Sequence, residues 1–293
     1  MGFALIYDSF SDTALFSGGD WDIPLTNLRL DDVGLVAQSS SLDPGDTRFR
    51  VDLGKARPVG GIVVGPCNSG PGATVEIEAF ADAAMTVRVY TTGAIGVTAD
   101  SVNWANPADW LAWEDPNFWI GLKSDEPEVE ALPLYFSHIV PPEQVGAALA
   151  RYWRVSIDDP ANASGRVRIG RVIIGRAYRP SLNYTYSGNE TGFTWATDRR
   201  ESLGGRRTFS PRFMRRKLRV AFDYLPEIEA FGDWFRLGIA TGVHRQVFVV
   251  PEETDAGALL RKRAFLATLN EAPAIQQVVF ERAAMALQAE EVI

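Results

Sequence analysis

Residues 151–175 read RYWRVSIDDPANASGRVRIGRVIIG, two alternating, β-branched runs on either side of a knot that holds Asp158, Asp159 and Asn162. The runs have the length and composition of strands, and Pro160 and Gly165 are breakers. The acids and the amide admit two readings, a metal nest or a turn. A calcium loop needs six or more oxygens in a spaced array of the D-x-[DN]-x-[DN]-G kind. DDPANASG has two adjacent acids and one Asn without that register. Neighbouring strand residues point to opposite faces, so Asp158 and Asp159 converge only once the chain has left the strand. Turns select Asp, Pro, Asn and Gly for backbone reasons. The stretch is therefore read as the closing strand pair of a β-unit, with its acids turning the chain.

Upstream the same pattern repeats. FRVDLG at 49–54, GGIVVG at 60–65, ATVEIEAFA at 73–81 and TVRVYTTG at 86–93 each lie between Gly, Pro, Asn or Asp breakers. In ATVEIEAFA, Val75, Ile77 and Ala79 share one face and Glu76 and Glu78 the other, the mark of a sheet with one wet side. A β-sandwich over residues 1–180 follows. It is interrupted at 94–150 by an excursion too long for a hairpin loop, in which Trp104, Trp110, Trp113 and Trp119 crowd together. Residues 181–293 read as a small α+β unit with an N-terminal arm or linker. There KLRVAFDYL is a strand with Leu218, Val220 and Phe222 on one face. Pro226 and Glu227 open a helix in which Ile228, Phe231, Trp234 and Phe235 recur at the spacing of one helical face.

Charge separates the two parts. Residues 1–180 hold 23 acidic against 14 basic side chains, and 181–293 hold 14 against 15, for a net −8 over 293 residues. An acidic first part argues against broad nucleic-acid binding, which needs clustered Lys and Arg. One cysteine, Cys67, excludes an internal disulfide framework and thiolate-built metal sites. The N-terminus carries no export pattern, and no run approaches about 18 apolar residues, so neither export nor a membrane partner is expected.

Chemistry-bearing motifs are sparse. His138 and His244 have no Cys, Asp or Glu at ligand spacing, and there is no nucleophile elbow, phosphate loop or dinucleotide fingerprint. No catalytic, metal or cofactor site is expected. Glu114 and Asp115 could serve a glycan-active enzyme only with a convergent second carboxylate, which the sequence does not assign. The four tryptophans could stack on sugar rings, staple a loop onto the sandwich, or bury at a subunit contact. Arg206, Arg207, Arg212, Arg215, Arg216, Lys217 and Arg219 put seven basic residues into fourteen. Beside an acidic neighbour this run reads first as an assembly interface, and otherwise as a nucleic-acid patch or a solvated face.

WDIPLTNLRLDDVGLVAQSSS, TRFRVDLGKARPVGGIVVGPCNSGPGATVEIEAFAD and YWRVSIDDPANASGRVRIGRVIIG together resemble the discoidin (coagulation factor 5/8 type C) jelly roll of bacteriophage virion proteins, over about residues 20–178. Gly204 to Glu291 is similar in element order to the minor or distal tail proteins of long-tailed, non-contractile phages. The resemblance implies a mainly β chain, a jelly-roll β-sandwich followed by an α+β tail-ring domain. The implied protein is a non-enzymatic structural component of the tail tip, joining the tail tube to hub and receptor-binding proteins. Its implied partners are other tail proteins, namely tube, hub and tape measure, and further copies of itself in a hexameric or trimeric ring. It would reside in the virion after synthesis in the host cytoplasm. The alternative is a carbohydrate-binding module that recognises host surface polysaccharide through Trp104, Trp110, Trp113 and Trp119.

Overall fold

Val75, Ile77 and Ala79 are fully buried while Glu76 stands on the opposite face, so the pleat of this strand has the two sides its alternation predicts. The computed structural model describes residues 2–70, 72–96, 132–146, 148–185, 188–202, 204–210, 212–255, 257–271 and 274–293. Two compact units make up the chain, Met1–Ala177 with Val250–Ala264, and Tyr178–Val249 with Phe265–Ile293.

The strands of the first unit are β1 (Ala4–Tyr7), β2 (Leu15–Ser17), β3 (Trp21–Ile23), β4 (Ala37–Ser39), β5 (Phe49–Pro58), β6 (Gly61–Cys67), β7 (Thr74–Phe80), β8 (Arg88–Gly96), β9 (Leu134–Ile139), β10 (Leu149–Asp158), β11 (Arg168–Ile169) and β12 (Val172–Tyr178). One sheet has the order β2-β5-β10-β7-β8. The other runs β1-β12-β6-β11-β4-β3, with β9 also paired to β6. Antiparallel pairing is used throughout the registered pairs, and inward residues of both sheets form one core that includes Phe49, Val64, Ile77, Trp153, Val155 and Ile174. The unit is an antiparallel β-sandwich. Close approach at its edge requires glycine: a Cβ on Gly61 would stand 2.5 Å from the Ile6 side chain, and one on Gly175 2.5 Å from the Tyr7 carbonyl oxygen.

Residues 151–175 differ from the expected strand pair in one respect. β10 hydrogen-bonds β5 and β7 in the five-stranded sheet, whereas β11 and β12 pair with β4 and β6 in the other. The DDPANASG turn is thus a crossing between layers and not a hairpin. Periodicity along each run could not show this, because it specifies which face is buried and says nothing about which strand lies alongside.

In the second unit, β13 (Glu190–Trp195), β16 (Met214–Pro226), β17 (Gln246–Val250), β18 (Phe265–Leu269) and β20 (Arg282–Glu291) form a sheet in the order β13-β16-β20-β18-β17. β19 (Ile275–Val279) pairs with β20, and β14 (Asp198–Glu201) with β15 (Arg207–Ser210) forms a separate ribbon. A helix, α1, spans residues 227–241, with a π-turn at Ala230–Trp234. Acids at Glu227 and Glu229 favour its positive N-terminal end, and Gly242 at φ 53° stops it. A second helix, α2 (Gly257–Arg263), belongs to the first unit. Leu218, Val220 and Phe222 are buried on one face of β16, as their alternation requires.

The helix corrects a second expectation. Trp234 is fully buried with Ala230, Leu237 and Thr241, and its ring packs edge-on against Phe222 and Tyr178 at centroid distances of 5.6 and 5.4 Å. Ile228, Phe231 and Phe235 do not share that face. They are exposed, Ile228 at 90%. An amphipathic period finds an apolar stripe, but this helix carries two, and only one meets the sheet.

Within the basic run, Arg216 points inward. Its guanidinium pairs with Glu291, its backbone N–H donates to Glu291 Oε2 at 2.9 Å, and both side chains are 2% exposed. Removing one partner strands a buried charge, so Arg216→Ala is expected to cost the second unit about 3–5 kcal/mol in chemical denaturation. Arg215→Ala, whose partner Glu290 lies 3.4 Å away at the surface, should cost about 1 kcal/mol or less.

Candidate binding rim

Strand registers gather several loops at one end of the sandwich. Asp158 pairs with Thr74 and Thr74 with Gly96, while Cys67 pairs with Ile169 and Leu134. The 68–73 loop joins Cys67 to Thr74, so both rows belong to the same end. The 159–167 crossing starts there. So does the segment between Gly96 and Leu134, whose two flanking strands both reach this rim. Trp104, Trp110, Trp113 and Trp119, with Glu114 and Asp115, lie outside the described residues.

Side chains lock the rim. Asp159, 1% exposed, accepts the Gly70 N–H at 3.1 Å and the Asn162 amide at 2.8 Å on the same oxygen, Oδ2. Asn162 Nδ2 also donates to the Asn68 carbonyl at 3.2 Å, and its Oδ1 accepts the Ser164 N–H at 3.0 Å. Asn68 reciprocates: its amide donates to Ser164 Oγ at 2.7 Å and to the Arg166 carbonyl at 2.9 Å, and its Oδ1 accepts the Arg168 N–H at 2.7 Å. Asp159 and Asn162 therefore do turn the chain, and they also staple the 68–73 loop to it. Nothing in the sequence marks Asn68, since a turn asparagine bridging to a distant loop looks like any other turn asparagine.

Outside the lock, Arg166 pairs with Asp22, Arg168 Nε donates to Gln38 Oε1 at 2.8 Å, and Trp21 stacks edge-on against Phe49 at 5.7 Å. Carboxylate, guanidinium and amide groups side by side can exchange directional hydrogen bonds with hydroxyl-rich ligands. Among the described residues no three His, Cys, Asp or Glu side chains cluster as metal ligands, and no helix is long and apolar enough to cross a membrane. His138 shares a 2.7 Å hydrogen bond with Tyr90 Oη, and His244 is exposed in the other unit. Burial pushes the Cys67 thiol up to about 11, which makes it a poor nucleophile at neutral pH.

The basic run is largely committed within its own unit. Besides the buried pair, Arg207 meets Glu201 at 3.3 Å, Arg212 meets Asp198 at 2.7 Å and Lys217 meets Glu190 at 2.5 Å. Arg219 lines a hollow on the outer sheet face with Asp223, Glu271 and Gln288, and Arg206 is exposed in the loop leading into β15. The parity of Arg216 was a legible signal, because it shares the inward face of Leu218 and Val220. The density of charge around it masked that signal.

Two carboxylates on the wet face of the five-stranded sheet are held ionised. Burial works to raise Glu78, but Arg154 and Arg88 outweigh it and hold it below its ordinary 4.5. Hydrogen bonds from Arg151 hold Asp52 below its ordinary range, with help from the Gly54 N–H.

No protein-family model and no curated protein matches the chain. Solved structures similar to it include CpGH89CBM32-6 of Clostridium perfringens, at 13% identity and a TM-score of 0.32, over 58% of this chain and 98% of that one. A family 32 carbohydrate-binding module from C. perfringens NanJ, solved with galactose, matches at 13% identity and TM-score 0.33, over 59% and 99%. A third is CBM32-1 of a C. perfringens family 31 glycoside hydrolase, at 12% identity and TM-score 0.32, over 58% and 98%.

A carboxyl group whose folded pKa lies below its unfolded one binds protons more weakly when folded. The stabilisation from Glu78 and Asp52 is therefore complete above the ordinary carboxylate range of about 4–4.5 and is lost as pH falls below it. Denaturation midpoints measured from pH 6 down to 3 should fall on acidification, and Glu78→Gln should flatten that dependence.

Proposed function

We propose that the first unit is a non-catalytic recognition module for carbohydrate, with the rim as its binding face and the tryptophan-rich segment as its stacking surface. The observation that carries this reading is the register: both strands flanking that segment, β8 at Gly96 and β9 at Leu134, terminate at the rim. Two loops that Asn68, Asp159 and Asn162 tie together lie at the same rim as Gly96 and Leu134. Rigid loops spare a ligand the entropic cost of ordering them. Aromatic rings add large flat apolar faces, against which the C–H face of a sugar ring can stack. Galactose, the sugar held by the NanJ module, is a suitable first probe beside a panel of surface polysaccharides.

Calorimetric titration of the full chain should detect a binding sugar in that panel. Trp110→Ala and Trp113→Ala should each weaken binding about tenfold, equivalent to about 1.4 kcal/mol, with the thermal midpoint unchanged. Binding that survives both substitutions at full strength would remove the tryptophan segment from the site.

A second reading, a structural part of a phage tail tip joining tube to hub, is favoured by a different feature. Every residue of the β14–β15 ribbon is exposed, and Phe193, Trp195, Phe209 and Phe213 on and beside it are each half exposed or more. An isolated two-stranded ribbon is marginal in water. As an arm laid across a neighbouring tail protein it would bury those rings. Co-purification of the chain with intact virions, lost when Trp195 and Phe209 are changed to Ser, is the expected result. Virions assembled without the chain would exclude this reading.

A further inference from the structure

The outer stripe of α1 is an unpartnered apolar face with an internal symmetry. Ile228, Phe231, Phe235 and Ile239 are exposed at 90, 51, 54 and 74%, and they recur at steps of three, four and four residues. Read in either direction the order is Ile, Phe, Phe, Ile. Phe280, 89% exposed, extends the patch beyond the helix N-terminus, where the Glu227 N–H donates to the Glu281 carbonyl at 3.1 Å. A hollow of about 550 Å³ lined by Pro226, Ile228, Phe231 and Arg282 lies between helix and turn.

We propose that this stripe is a self-association surface, covered by the same helix of a second copy packed antiparallel about a two-fold axis. Such an axis turns the palindrome to use. Ile228 of each copy meets Ile239 of the other, and Phe231 meets Phe235, so each large ring faces a ring and each aliphatic faces an aliphatic. At Gly232, beside Phe231, nothing lies within 4 Å of where a Cβ would stand, which leaves room for the second backbone.

Area argues in the same direction. The exposed parts of these five side chains amount to on the order of 800 Å², at or above the largest patch of an ordinary monomer and near the share each partner contributes to a standard interface. The contact is isologous and closes at two copies. It is independent of the carbohydrate reading and unlike the head-to-tail contact of a larger ring.

Sedimentation equilibrium of the full chain should show a dimer at micromolar concentrations. Ile239→Glu should weaken the dimer at least a hundredfold while leaving the circular dichroism spectrum and thermal midpoint of the monomer intact, since residue 239 supports no core contact. Register is tested in a Cys67→Ser background: an oxidised mixture of Ile228→Cys and Ile239→Cys chains should give cross-linked dimers, and either variant alone should give few. A wild-type chain that stays monomeric at 100 µM would overturn the proposal. So would a dimer indifferent to Ile239→Glu, or self-linking of Ile228→Cys as efficient as the mixture.

Discussion

A chain that leaves one sheet and enters the other must cross the open end of the sandwich without abandoning its backbone polar groups to the core. The 159–167 crossing solves this with side chains. Asp159 enters the protein interior and spends one oxygen on the Gly70 N–H and the Asn162 amide, and Asn68 answers from the opposite loop. Buried polar groups are tolerated when they are hydrogen-bonded. That condition fixes the 68–73 loop against 159–167, and so fixes where β7 begins and β6 ends. The segment between Gly96 and Leu134 departs from the frame so defined.

The rim of the first unit is held by side-chain hydrogen bonds between its loops, although Asp159 Oδ1 and Ser69 Oγ are buried without a partner among the described residues. Groups used in the lock are not free to bind, whereas the side chains of Arg166 and Arg168 lie outside it and pair with Asp22 and Gln38. The second unit contrasts with it. Its sheet is sealed on one face by Trp234 and Leu237, while its outer helix stripe and its β14–β15 ribbon leave large apolar side chains in water. One unit presents polar groups on hydrogen-bonded loops and the other presents apolar surface on regular elements.

Much of this was legible in the sequence because a strand has a period of two. Val75, Ile77 and Ala79, and later Leu218, Val220 and Phe222, declared their buried faces directly. Pairing partners were not legible, since nothing local distinguishes a turn back into the same sheet from a crossing into the other. The helix was found, but not its orientation: Ile228, Phe231 and Phe235 satisfy helical spacing as well as Ala230, Trp234 and Leu237 do, and only the sheet chooses between them. In the arginine run the composition concealed the pattern. Seven cations suggested a surface, yet strand parity had already assigned Arg216 to the interior.

The Arg216–Glu291 pair also restricts how this sequence can drift. Neighbouring pairs such as Arg215–Glu290 sit in water, where either member can be exchanged at little loss and in any order. Inside the sheet a lone arginine or a lone glutamate is worse than both the ionic pair and a pair of well-packed apolar residues. A path from one acceptable state to the other passes through a poorly folded intermediate. Descendants of this chain should hold the two positions together or replace them together, so the pair would appear as covariation between residues 216 and 291 and not as independent variability at each.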